Sequence, residues 1–312
     1  MRQIDAETTR RHLGFPALID ALRAMFVSGC EAPLRHTHRI GDAGTLLVMP
    51  AWRSGARLGL KTVTIFPANT ARGLPGLHST YLLFDAATGV PLAQIDGAEI
   101  TSRRTAAASA LAASMLARAD ATRLLIVGSG RVAALIAEAM QVVRPLDEVA
   151  VWNHRPAGAQ ALAEALRAKG FHAHAVDDLA EAASRADIIS CATLSTTALI
   201  RGEWLRPGTH LDLIGSFTPQ MREADAASFA RSRVYIDTDE ALAKSGDVLE
   251  AIAAGAFDSA RLQGTLAELC HGTRPGRIGA DECTLFKAVG NALEDLAAAE
   301  LVFEGVCSDI LS

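Results

Sequence analysis

A chain of 312 residues, half of them hydrophobic, has ample apolar surface for two ordinary domains and needs no disulfide or metal staple to fold. Its net charge of −5 is spread over interspersed acidic and basic residues, which excludes the basic stripe of a nucleic-acid binder and the polybasic segment of a membrane-surface protein. Its five cysteines are scattered, with no Cys-x-x-Cys pair and no zinc-ligand spacing, so a reducing compartment and no metal are expected.

The N-terminus, MRQIDAETTRRHLGF, is too charged for a signal-peptide core, and no apolar run reaches the roughly 18 residues of a membrane span. A cytoplasmic protein is expected. Residues 1–30 predict two helices, a short one capped by Asp5 or Thr8 and a second over FPALIDALRAMFVSG, with Leu18, Leu22, Met25 and Phe26 at helical spacing and Gly29 as its stop. From 35 to 96 the segments RHTHRI, TLLVMP, LGLKTVTIF, HSTYLLFD and VPLAQID are rich in strand formers and broken by Gly, Asp, Asn and Pro, the texture of a mostly antiparallel sheet. A long helix, EITSRRTAAASALAASMLARAD, carries the chain away from it.

After Ala121 strands alternate with helical segments. The strands are LLIVG (124–128), VAVWN (149–153), HAHAV (172–176), DIISCA (187–192), HLDLIG (210–215) and RVYID (233–237). Such alternation predicts a parallel, doubly wound sheet, and six strands in about 115 residues have the size of a complete Rossmann domain. The last segment, TLFKAVGNALEDLAAAELVF, reads as one amphipathic helix with Phe286, Val289, Leu293, Leu296 and Ala297 on its buried face, returning to the N-terminal sheet. The expected fold class is α/β. It combines a Rossmann NAD(P)-binding domain over 119–280 with a discontinuous α+β substrate-binding and dimerisation domain made of 1–118 and 281–312.

Directly after the first of those strands comes Gly128-Ser129-Gly130-Arg131-Val132-Ala133, followed by a helical run. In that strand-to-helix context the pattern is a dinucleotide-binding turn. Gly128 permits the tight turn, Gly130 lets a pyrophosphate approach the backbone, and Ala133 lets the helix pack closely on the strand. The helix N-terminus offers N–H groups and a favourable dipole to the phosphates. The second strand runs into Asn153, His154 and Arg155, with no acidic residue at its tip to take a ribose 2′-hydroxyl. Arg155 is suited to a 2′-phosphate instead, so NADPH is favoured, with NADH or NAD as the alternative. Thr193, Gly215 and Ser216 complete the expected cofactor set, the nicotinamide lying near Gly215 and Ser216.

Several blocks occur together in one order: MPAW at 49–52, LGLKTVTIFPANTARGLP at 58–75, DAATGVPLAQIDG at 85–97, ITSRRTAAA at 100–108, LIGSFTPQMRE at 213–223 and TLFKAVGNALEDLAAAELV at 284–302. With the glycine turn between them, they resemble the ornithine cyclodeaminase/mu-crystallin family over nearly the whole chain. The resemblance implies a homodimer acting on small amino or imino acids with NAD(P). It also implies that Arg35, Lys61 and Arg104 hold the substrate carboxylate. The chemistry agrees, since a small anion needs convergent positive charge and Lys61, inside an apolar strand, needs an anion beside it.

Two departures from the family pattern shape the expected reaction. Where ornithine cyclodeaminases resemble one another in a catalytic aspartate and a glutamate that meets the distal amine, this chain has Phe217 and Leu47. Neither side chain can move a proton or pair with an ammonium. With Leu47, Met49 and Phe217 lining the pocket, the chain looks closest to the Δ1-pyrroline-2-carboxylate reductase branch, with Δ1-piperideine-2-carboxylate as a second substrate. His78 is the candidate proton donor beside Lys61 and Arg104. The alternatives are ornithine cyclodeaminase itself, a 3-hydroxyproline dehydratase, or a mu-crystallin-like NADPH-dependent binder without catalysis.

Overall fold

β1 (Arg2–Ile4) opens the chain, a strand too short to show any alternation in the sequence. Asp5 then caps α1 (Ala6–His12): its carboxylate accepts the Thr8 N–H at 2.8 Å, supplying a partner that the first turn of a helix lacks. α2 (Phe15–Ser28) buries Leu18, Leu22, Met25 and Phe26 along one stripe. β2 (His36–Ile40), β3 (Gly44–Arg53), β4 (Arg57–Ile65), β5 (Leu77–Asp85) and β6 (Pro91–Asp96) follow. With β1 they make a six-stranded sheet in the order β1-β6-β5-β4-β3-β2, antiparallel except where β1 runs beside β6.

α3 (Gly97–Leu116) leads to a second sheet built from β7 (Arg123–Val127), α4 (Ala133–Gln141), β8 (Glu148–Trp152), α5 (Pro156–Ala168), β9 (Ala173–Ala175), α6 (Leu179–Arg185), β10 (Ile188–Cys191), β11 (His210–Leu213), α7 (Ala226–Arg231), β12 (Ser232–Ile236), α8 (Glu240–Lys244), α9 (Gly246–Ala253), β13 (Gly264–Thr265), α10 (Leu266–His271) and β14 (Cys283–Lys287). All eight strands are parallel, in the order β13-β12-β14-β11-β10-β7-β8-β9. The order reverses between β7 and β10, the switch point at which doubly wound sheets open a crevice for ligands. The fold is α/β, combining a Rossmann-type parallel sheet with an α+β unit built on the six-stranded sheet.

The structure, a computed structural model, describes residues 1–311 without the side chains of Thr70 and Leu311. Residues 1–104 and those from 291 onward form one compact unit, and residues 105–290 form the other. Both junctions differ from the sequence reading, which puts them after 118 and before 281. The alanine-rich part of α3 belongs to the second unit, where Ser109 donates to the buried Asp212 at 3.0 Å. The second shift comes from β14. Sequence patterning makes TLFK the start of the last helix, but Cys283–Lys287 is a fully buried strand inserted between β11 and β12. A short apolar run fits a buried strand as well as a helix, and periodicity cannot separate them. The last helix, α11 (Ala292–Leu311), begins only after Gly290 and packs on α1, α2, β3 and β4 of the first unit.

Alternation along β4 buries Gly59, Lys61 and Val63 on the face toward α11. The register aligns Met49, Lys61, Tyr81 and Ile95 in a row across β3, β4, β5 and β6, all buried. The opposite face carries the half-buried Leu46, Val48, Leu58, Leu60, Leu82 and Phe84. Among the described residues, no helix is long and apolar enough to cross a membrane.

Candidate functional site

The glycine turn sits at the switch point. Gly128 follows β7 with φ +115°, a conformation that L side chains rarely adopt, and its N–H donates to the Trp152 carbonyl at 2.8 Å. A Cβ there would also stand 2.6 Å from the Ala192 carbonyl oxygen, just beyond β10. Gly130 differs: it is exposed, and no atom lies within 4 Å of where its Cβ would be. Helical hydrogen bonding starts at once, with the Ala134 N–H reaching the Gly130 carbonyl at 3.0 Å and Ala133 fully buried at the head of α4. An open backbone surface at Gly130 leading into a helix N-terminus fits the pyrophosphate of a dinucleotide. Ser129, Arg131 and Val132 complete this turn.

Beyond β8, Asn153 Nδ2 donates to the Arg155 carbonyl at 3.1 Å, and Arg155 Nε to His154 Nε2 at 3.1 Å. Arg155 is exposed, and no acidic residue lies among 153–155. Thr193, after β10, and Gly215, after β11, meet at a residue that sequence reasoning missed, the fully buried Glu223. Ser216 is fully buried as well and donates to the Met221 carbonyl at 2.7 Å. Phe217 is half-buried against the apolar cluster of Ile236, Ala241 and Val289.

In the other unit the structure brings together a tight charge cluster. Lys61 Nζ lies 2.6 Å from Asp295, while Arg104 Nη1 reaches Glu294 at 2.6 Å and its Nε reaches Asp295 at 2.9 Å. All four side chains are buried. Glu294 and Asp295 stand in the first turn of α11, where the helix dipole favours anions, and Asn291 Oδ1 accepts the Glu294 N–H at 3.2 Å. Burial pushes the Lys61 ammonium down to about 8, with Asp295 pulling upward and Arg104 and Arg35 adding to the drop. Burial also opposes the Arg104 charge, but Asp295 and Glu294 outweigh it and hold the guanidinium protonated. Asp295 in turn stays well ionised because Lys61 and Arg104 outweigh its burial.

These pairings add two partners that the sequence reading, which assigns Lys61 and Arg104 to the substrate carboxylate, does not include. Glu294 and Asp295 neutralise both cations within the chain, and Arg35 brings a further positive charge near Lys61. The signal for the two acids was the Glu-Asp pair at the start of the last helix. Leu47 and Met49 share the Lys61 face, since Leu47 pairs with Val63 and Met49 with Lys61. His78 does not join them. It pairs with Thr64, exposed on the opposite face of the sheet, because strand side chains alternate and 78 is out of phase with Tyr81. A proton-donor role beside Lys61 and Arg104 is therefore withdrawn for His78.

The model of the ornithine cyclodeaminase/mu-crystallin family matches residues 3–309. The chain belongs to this family. A family member from Paracoccus denitrificans (strain Pd 1222) named Delta(1)-pyrroline-2-carboxylate reductase is 42% identical over 277 residues, 87% of each chain. The structure of the Thermococcus litoralis Delta(1)-pyrroline-2-carboxylate reductase, in complex with NADH and L-proline, superposes with a TM-score of 0.95 at 31% identity, covering 99% of this chain and 98% of that one. An archaeal alanine dehydrogenase dimer with bound NAD gives a TM-score of 0.93 at 28% identity, covering 99% and 97%.

Proposed function

We propose that this family member is a nicotinamide-dependent reductase that converts Δ1-pyrroline-2-carboxylate to L-proline, and that Δ1-piperideine-2-carboxylate serves as a second substrate. The observation that carries this reading is one face of the first sheet, where an anion anchor at Lys61 stands beside the apolar Leu47 and Met49. A cyclic imino acid offers one carboxylate and an apolar ring to such a surface. Ornithine would bring a second ammonium against Leu47, where nothing compensates its desolvation. The related Paracoccus and Thermococcus proteins carry the name of the proposed activity.

When bound at the glycine turn, the dinucleotide supplies the hydride that reduces the carbon–nitrogen double bond. The chain's own residues do the rest. Lys61, Arg104 and Arg35 hold the substrate carboxylate and so fix the imine carbon in place. An ammonium has three donors and a guanidinium five, so Lys61 and Arg104 can keep Asp295 and Glu294 while taking a substrate oxygen. The proton that reaches the imine nitrogen comes from Lys61 or from water. Turnover of purified protein with Δ1-pyrroline-2-carboxylate and NADPH or NADH to give proline tests the proposal, and its absence with both cofactors refutes it.

Lys61 binds an anion only while it is charged. Its ammonium is protonated below about pH 8 and neutral above it. Affinity for pyrrole-2-carboxylate, a planar mimic of the imine, is therefore expected to fall as pH rises through that value, read as an increase in Ki. A Ki that does not change there removes Lys61 from the anchor.

Arg155 selects NADPH in this reading, which the exposed guanidinium and the missing acid at the β8 tip support. Arg155→Ala is expected to lower the ratio of kcat/KM for NADPH over NADH about tenfold, the loss of roughly one charge-assisted contact. An unchanged ratio would remove that role. The enzyme is proposed to work in the cytoplasm as a homodimer, the half-buried apolar face of β3, β4 and β5 supporting a second copy as its cover.

A further inference from the structure

One carboxylate ties together the two loops to which the nicotinamide half of the cofactor is assigned. Glu223 Oε1 accepts the Thr193 N–H at 2.7 Å and the Thr193 hydroxyl at 2.9 Å, and Oε2 accepts the Gly215 N–H at 2.6 Å. Contact is so close that a Cβ on Gly215 would stand 2.1 Å from the Thr193 carbonyl oxygen and 2.3 Å from Glu223 Oε1. Gly215 is thus glycine to admit Glu223 and Thr193, whereas Gly130 faces open space.

Behind Glu223 lies a second acid. Asp247, in the first turn of α9, accepts the N–H groups of Glu223 at 2.7 Å and Ala224 at 3.1 Å, and donates its own N–H to Ser216 Oγ at 3.1 Å. Lys287 on β14 stands 3.6 Å from Asp247 and donates to the Leu213 carbonyl at 3.1 Å. Asp212 on β11 and Cys191 on β10 belong to the same buried group. The group holds three carboxyls and one ammonium, a buried excess of acids that costs stability. Every group bonded to Glu223 is a donor, so its hydrogen bonds call for the ionised form.

We propose that Glu223 is a positioning residue of the cofactor site: its carboxylate clamps the Thr193 and Gly215 loops, and its charge favours the positively charged nicotinamide of NAD+ over the neutral ring of NADH. The inference rests on the dinucleotide reading of the glycine turn. A bias of this kind favours hydride donation, because the charge of the ring rises as the hydride leaves. Burial pushes the Glu223 carboxyl up to about 7, with Lys287 pulling down and Asp247 adding to the rise. NAD+ binding near that pH draws the carboxyl toward ionisation and releases a proton.

The test is calorimetric titration of the wild-type protein with NAD+ and with NADH near neutral pH, in buffers of different ionisation enthalpy, alongside Glu223→Gln. Net proton release on binding NAD+ and less on binding NADH is expected from the wild type, with the difference lost in E223Q. The variant is also expected to weaken NAD+ about tenfold more than NADH, the scale of one nearby charge in a partly polar interior. Equal proton release with both cofactors overturns the inference while leaving the dinucleotide reading intact. If the wild type binds neither cofactor, the dinucleotide reading fails and takes this inference with it. Should E223Q fail to fold, proton release by the wild type alone decides.

Discussion

Arg104→Met is expected to destabilise the protein and to suppress its reductase activity, and a second substitution is expected to separate the two effects. Removing the guanidinium takes its charge away from the buried Glu294 and Asp295. Breaking a buried ion pair from one side costs about 3–5 kcal/mol, chiefly because a charge stays behind unpaired. A lower melting temperature is therefore expected. Loss of the fork that holds the substrate carboxylate should reduce kcat/KM by about 100- to 1,000-fold, within the range for truncating one partner of a buried charge pair. The double variant Arg104→Met/Glu294→Gln also removes the carboxylate that Arg104 Nη1 contacts and is expected to regain much of the stability with little of the activity. Recovery of both would limit Arg104 to a structural role.

Gly130→Val should have the opposite profile, an unchanged melting temperature with cofactor binding lost. Its Cβ would enter open space, and the backbone there is outside the left-handed region, so the apo fold has nothing to resist. The same side chain would occupy the surface at which a pyrophosphate approaches the backbone. NADH affinity is expected to fall about 100-fold or more, equivalent to about 2.7 kcal/mol. Gly128→Ala provides the contrast. With φ +115° and the Ala192 carbonyl oxygen 2.6 Å from the new Cβ, it should lower the melting temperature before any cofactor is added. Intrinsic fluorescence with NADH titration, together with thermal melts, checks both variants. Retained affinity in Gly130→Val would place the phosphates elsewhere.

The difference between these two glycines shows how far patterning reaches. Both belong to one motif and receive their roles from its spacing, but only the tertiary neighbour reveals that Gly128 is also locked by Ala192, just beyond β10. The strands from β7 to β12 were legible because each is a short run of strand formers bounded by turn residues. β14 was not, because five apolar-flanked residues leading into a helix carry no local mark of their state. The strand state of β14 is what places Lys287 3.6 Å from Asp247. His78 failed for a different reason: its residue type suits a proton donor, but the pleat turns it to the far face from Lys61.

For the anchor cluster the same division holds. Local sequence determined that Lys61 lies in an apolar strand, that Arg104 lies on a helix, and that a dinucleotide turn follows a strand at 128–133. Each of these depends on neighbours within a few residues, where propensity and periodicity act. Only the tertiary structure decided that Asp295 and Glu294 neutralise Lys61 and Arg104, that Glu223 joins Thr193 to Gly215, and that β14 lies between β11 and β12. Those pairings are set by sheet register and by how helices lie on the sheets. They join groups distant in the chain, and in a buried setting it is the nearest opposite charge in space that governs a side chain's charge state.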